Sequence, residues 1–212
     1  MTFKTLSLLC TFLLFASCGK GGGGGGSSSG DVVNAEEITT DAPVPSAALN
    51  FDVNVNMNNF NGTQQDKILT AAELIRKVVA SDEFKNAILN HKYKGKKTFV
   101  DNGGLTNAQI YKAIIEGSEK LNPGVDNQMD LNLTVYKANN MVVGYTYPSV
   151  FEIWMNSKFL NANTPAKVTT NMMHEWLHKM GFKHAAKKTA NRKYSVPYAV
   201  GYLTARLAKK FD

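Results

Sequence analysis

The sequence predicts an α/β fold on one mixed sheet, and three observations carry that prediction. LNFDVNVNM, Leu49 to Met57, alternates apolar and polar residues, the period-two pattern of a half-buried strand. Residues 63–80 place Ile68, Ala72, Leu74, Ile75, Val78 and Val79 at helical spacing, which makes a long amphipathic helix. Three later strand-like runs lead into one more apolar-faced helix, so strands and helices interleave along the chain.

Taken in order, Phe51, Val53, Val55 and Met57 define the inner side of the first strand, and Asn61-Gly62 turns the chain into the long helix. Ser81 is placed to cap a shorter helix over residues 82–90. KKTFVD, Lys96 to Asp101, reads as a short strand. Asn102-Gly103-Gly104 breaks it before a helix over 106–120, which Pro123 and Gly124 terminate. MDLNLTVYKA from Met129, MVVGYTY from Met141 and FEIWMN from Phe151 read as strands. Asn139-Asn140 is expected to be a hairpin turn joining the first two, and Pro148-Ser149 a break before the third. Thr164-Pro165 starts a helix with a capping hydroxyl and a proline at the first helical position, and Gly181 stops it. A last helix over about 197–210 carries Val200, Leu203 and Leu207 on one face.

The chain before residue 49 reads differently. Lys4, an apolar run from Leu6 to Phe15 and the small residues Ala16 and Ser17 make residues 1–17 a secretory signal peptide, too short for a permanent membrane span. FASC, ending at Cys18, resembles the bacterial lipobox, which implies a lipid anchor on Cys18. Residues 18–48 then supply a Gly/Ser-rich tether and an acidic, proline-containing linker, leaving 49–212 as one folded domain. With no cysteine beyond residue 18, an exported fold must stand on its core or on a core plus a metal. The formal net charge of +7 suits solubility or attraction to anionic envelope surfaces, and nucleic acid is not an expected partner of an exported chain. The expected location is the bacterial cell envelope, membrane-tethered, and the expected state is a monomer. The basic runs at His91 to Lys97 and between Lys183 and Lys193 read as solvated faces.

Three of the four histidines fall within MMHEWLHKMGFKH, Met172 to His184. At about 100° per residue, Val168, Met172, Met173, Trp176, Leu177 and Met180 share one helix face, while His174 and His178 lie one turn apart on the other. A core histidine would stand among the apolar residues; these two are aligned to reach one ion. Gly181 permits a sharp turn that brings His184 back as a third ligand. Three neutral imidazoles leave a Zn2+ ion an open fourth position, as a catalytic site requires, and Glu175 is placed to act as general base toward a water there.

His174, Glu175, His178, Gly181 and His184 spell HExxHxxGxxH, which resembles the zinc-binding signature of the metzincin metallopeptidases. The preceding order of elements resembles their N-terminal subdomain. The resemblance implies a zincin-like fold: a mixed twisted sheet, a long backing helix, an active-site helix and a small C-terminal subdomain ending in a helix. It implies a zinc endopeptidase acting on protein or peptide substrates by Glu-assisted attack of zinc-bound water. It also implies an edge strand that binds substrate, a role falling on Val143, Gly144, Tyr145 and Thr146. Metzincins carry a methionine-containing turn below the metal. Here no methionine follows Met180, and YSVPYAVGYL, Tyr194 to Leu203, places Pro197 in that position. Tyr198 is the implied second catalytic residue, with Tyr194 its rival. The alternative from another class is a catalytically silent, zinc-stabilised envelope lipoprotein that binds a protein partner.

Overall fold

The computed structural model describes residues 44–212; the signal peptide, Cys18, the glycine-rich tether and the linker up to Pro43 lie outside the described residues. A short helix, α1 (Ser46–Leu49), buries Ala48 and leads into β1 (Asp52–Asn58), whose inward residues are Val53, Val55 and Met57. The long helix α2 (Gly62–Val79) starts in a capping box: Asn61 accepts from the Gln64 backbone N–H at 3.0 Å, and the Gln64 side chain accepts from Asn61 N–H at 3.1 Å. Its apolar face, including Ile68, Ile75 and Val78, is fully buried. Ser81 caps α3 (Asp82–Leu89) by accepting from Phe84 N–H at 3.2 Å.

KKTFVD does not form the expected strand. Lys96–Lys97 is β3, pairing with β2 (Lys92–Tyr93) around Lys94 and Gly95, both at positive φ as a tight hairpin turn requires. Phe99 then turns inward and stacks on His91 at 3.9 Å, and Val100 makes a single bridge to Ser195. The next helix, α4 (Asn107–Glu116), starts at Thr106 but stops before residue 120. Gly117, at φ +69°, ends it, because a Cβ there would lie 2.2 Å from the Gln128 carbonyl oxygen. That early stop lets Glu119 turn into the interior.

The four-stranded sheet runs in the order β1-β4-β6-β5. β4 (Gln128–Tyr136) is parallel to β1, β6 (Glu152–Asn156) is parallel to β4, and β5 (Gly144–Thr146) is antiparallel to β6. The expected hairpin at Asn139-Asn140 is therefore absent. β6, with Ile153 and Met155 buried, takes the inner position, and the three-residue β5 is left at the edge. Asn156 fixes the intervening loop, its Nδ2 donating to the carbonyls of Ala138 and Val142, both at 3.1 Å. It also caps α5 (Ser157–Ala162), an element the sequence pattern does not announce.

Met129, Leu131, Leu133, Ile153 and Met155 face a core closed by α2 and by α6 (Pro165–Lys179). α7 (Val196–Ala208) crosses α6 at Gly201, where a Cβ would stand 2.8 Å from the Thr170 carbonyl oxygen. Trp176 of α6 is fully buried, meets Phe51 edge-on at 6.0 Å and donates its indole N–H to Glu119. Lys179, one turn on, donates to the carbonyls of Val150 and Glu152 at the start of β6. The helix is thus fixed from behind by both packing and hydrogen bonds. Among the described residues no helix is long and apolar enough to cross a membrane.

The glycines separate two kinds of backbone demand. Gly103, at φ +66° in open space, and Gly117, at nearly the same φ against Gln128, differ only in crowding. Gly103→Ala should lower unfolding free energy by about 1 kcal/mol, and Gly117→Ala by about 2–4 kcal/mol, since overpacking adds to the conformational cost. Urea denaturation of both variants checks this; equal losses would remove the close approach as the reason the helix ends there.

Candidate metal centre

α6 is held at its start by Thr164, whose hydroxyl accepts from Lys167 N–H at 3.3 Å, and ends at Gly181, φ +97°. The helical period turns Met172, Met173, Trp176 and Leu177 into the core and leaves His174 and His178 on a cleft of about 760 Å³. The turn after Gly181 returns His184 to the same place. The three Nε2 atoms lie 3.2, 3.3 and 3.2 Å from one another, close enough to hold one metal ion.

Backbone carbonyls fix the tautomers. His178 Nδ1 donates to the Phe182 carbonyl at 2.7 Å and His184 Nδ1 to the Ala185 carbonyl at 3.1 Å. The Pro197 backbone acts on the His174 ring in the same sense, favouring its charged form. A carbonyl oxygen can only accept, so Nδ1 of His178 and Nδ1 of His184 carry the proton and their Nε2 atoms present lone pairs toward the cluster. Burial pushes the His174 pKa down to about 3, reinforced by His178 and His184 and opposed by the Pro197 backbone. Burial also lowers His178 and His184. All three are therefore neutral ligands in waiting at neutral pH.

Glu175 borders the same cleft and is 5 % exposed. Burial raises its pKa to about 7, against the Asn171 hydrogen bond and the charge of Lys179. Asn171 Nδ2 donates to Glu175 Oε1 at 3.1 Å, which leaves the other carboxylate oxygen free. Tyr198 borders the same cleft, its ring 4.5 Å from that of His174 and 4.8 Å from that of His184. Tyr194 does not reach the histidines. It packs against Tyr93 at 5.3 Å and borders a separate cavity of about 400 Å³ with His91 and Phe99. Val143, Gly144, Tyr145 and Thr146 all line the metal-side cleft, and β5 is the edge strand of the sheet.

Several cleft residues escape the sequence reading, Asn171, Arg192, Lys167 and Tyr202 among them. Asn171 lies one turn before Glu175, so the i, i+4 rule could have found it. Arg192 belongs to the basic run read as a solvated face, yet it is half-buried in the cleft wall with its guanidinium 4.7 Å over the Tyr198 ring. Gly144 passes so near Asn171 that a Cβ would meet its Oδ1 at 2.5 Å, which ties the edge strand to the α6 face. Comparison with protein-family models, curated proteins and solved structures finds no match to this chain.

A divalent first-row ion added to chelator-stripped protein at one hundred times its Kd should stabilise the fold by about 2.7 kcal/mol. His184→Ala, which removes a ligand from the loop and leaves the buried face of α6 intact, should abolish that gain. Denaturant titrations with and without metal measure both; an equal gain in the variant would locate the ion elsewhere.

Proposed function

We propose that the protein is a zinc-dependent endopeptidase of metzincin type, exported and tethered to a membrane through Cys18. The observation that carries the reading is the convergence of three neutral imidazole Nε2 atoms beside a buried carboxylate, in a cleft bordered by an antiparallel edge strand. The donor set fits zinc. Tetrahedral zinc at a Zn–N distance of ~2.0–2.1 Å keeps its nitrogens ~3.3–3.4 Å apart, and the triangle here has edges of 3.2–3.3 Å. Three histidines and no cysteine are the ligands of an open, catalytic site rather than a closed structural one. His178 and His184 are each oriented by a backbone carbonyl, the support such ligands require.

A zinc ion bound there supplies Lewis acidity and lowers the pKa of water toward ~7. The chain's own residues do the rest. The free edge of β5 offers backbone N–H and C=O groups, so an extended peptide can add as a further strand and lay its scissile carbonyl beside His174 and Glu175. The free oxygen of Glu175 takes a proton from water as the new C–O bond forms. It returns that proton to the amide nitrogen as the C–N bond breaks, so the amine leaves neutral. Asn171 holds the other oxygen and keeps the carboxylate aimed. The Tyr198 hydroxyl, in the same cleft, is the donor available to the developing oxyanion.

Purified protein should carry about one zinc per chain, and Glu175→Ala should keep the metal while lowering kcat/KM on a peptide library by at least ~10²-fold. Tyr198→Phe should keep the metal and lower kcat by ~10²-fold. Elemental analysis and a chelator-controlled digest read both. Metal near zero in the wild type, or hydrolysis unchanged in Glu175→Ala, would sink the peptidase reading, and a digest flat in both arms would return the non-catalytic lipoprotein.

A further inference from the structure

The cleft has two chemically different walls. On one side the β5 edge presents backbone and the half-exposed apolar residues Val142 and Val143. On the other, two cations flank two neighbouring tyrosine rings tilted against each other. Arg192 sits 4.7 Å over the Tyr198 ring, Tyr198 meets Tyr202 at 5.8 Å, and Lys167 Nζ lies 6.0 Å over Tyr202. Arg192 is built into this wall rather than draped on it. Its carbonyl accepts from Ser195 N–H at 3.1 Å and from the Ser195 hydroxyl at 2.8 Å, so the 3₁₀ turn at Arg192–Tyr194 is pinned where α7 begins.

What Arg192 lacks is an anion. Among the described residues it forms no ion pair, and its Nε is buried with no hydrogen-bond partner. The guanidinium makes no side-chain hydrogen bond among the described residues although the residue lines the cleft, and its fork matches a carboxylate best. Glu175 is the one acidic side chain lining the cleft, and it is hydrogen-bonded to Asn171. The resident positive charge is therefore not neutralised from within. Neutral or cationic ligands would leave it so.

We propose that Arg192, assisted by Lys167, makes this cleft select acidic peptide segments, with Arg192 taking a carboxylate side chain next to the reacting bond and Lys167 one further along the same strand of substrate. The inference rests on the peptidase reading of the same cleft and specifies its substrate class. Arg192 is the specificity-determining residue because it is half-buried and lies over the Tyr198 ring, whereas Lys167 is exposed and contributes a screened charge.

The test is fluorescence anisotropy with labelled ten-residue peptides of one sequence, bearing Asp/Glu, the matching Asn/Gln, or Lys at the central positions. The full chain carrying Glu175→Ala and supplied with equimolar zinc prevents turnover. The acidic peptide should bind about tenfold or more tighter than its amide counterpart, with the difference shrinking as salt rises. Adding Arg192→Gln should erase that difference, Arg192→Lys should retain part of it, and Lys167→Gln should reduce it about two- to threefold. Lys187→Gln, an exposed lysine outside the cleft with the same change in net charge, should leave it intact. Equal affinity for the acidic and amide peptides, or an equal loss in Lys187→Gln and Arg192→Gln, overturns the proposal. Digesting the same peptides with the Glu175-containing chain scores the peptidase reading separately. Acidic preference in binding with no cleavage sinks that reading alone, and cleavage without acidic preference sinks this inference alone.

Discussion

His178 and His184 each give the Nδ1 proton to a backbone carbonyl, and the three Nε2 atoms of the cluster face one another across 3.2–3.3 Å. That arrangement sets the lone pairs of His178 and His184 against each other, and burial removes the option of protonating one ring to relieve it. It persists because the backbone around the three rings comes from separate pieces that the fold has already fixed. Phe182 belongs to the turn after Gly181, Ala185 to the returning loop and Pro197 to the start of α7. The C-terminal third of the chain is thereby committed to a geometry whose electrostatic conflict a cation resolves.

Holding such a triangle to a fraction of an ångström demands that α6 not shift. Burying a residue as large as Trp176 contributes at least ~2 kcal/mol, and its edge-on contact with Phe51 adds specificity of position. Hydrophobic burial is not directional, however, and would permit the helix to slide or rotate. The polar anchors are directional. Glu119 accepts from the Trp176 indole and from Asp130 N–H at 3.0 Å, while Lys179 reaches the first carbonyls of β6. Burial raises the Glu119 pKa and lowers that of Lys179, the expected strain of two ionisable groups in the interior. Buried polar groups of this kind are weak sources of stability, but they define a single register between helix and sheet.

Most elements were legible because their apolar residues keep one period over their whole length: α2, β4 and α6 follow the pattern within a residue or two, and β1 starts three residues later than its pattern. The histidine face of α6 was legible for the same reason, since a fixed 3.6-residue period settles which side chains share a side. The misreadings share a different cause. KKTFVD and residues 117–120 look regular locally, but Phe99 is drawn into the core and Gly117 is pressed against Gln128, both contacts with distant parts of the chain. The Asn139-Asn140 hairpin failed because local turn chemistry cannot say which of three short strands owns the inner place in the sheet. Arg192 was illegible as a cleft residue because charge in a basic run looks the same whether it faces water or a tyrosine ring.

Pro197 bears on what the floor of such a site has to do. In the metzincin resemblance its position belongs to a methionine, a side chain that can pack beneath the metal but offers no hydrogen bond of consequence. Here the residue is buried in the first turn of α7, where its missing N–H leaves no donor unsatisfied and its ring fixes φ. Its backbone then acts on the His174 ring from a fixed position. Packing and support of that ring are thus both supplied by one residue's backbone and ring, with no flexible side chain involved. On this argument a rigid, buried ring and a fixed backbone stand where the proposed metzincin reading would place a methionine.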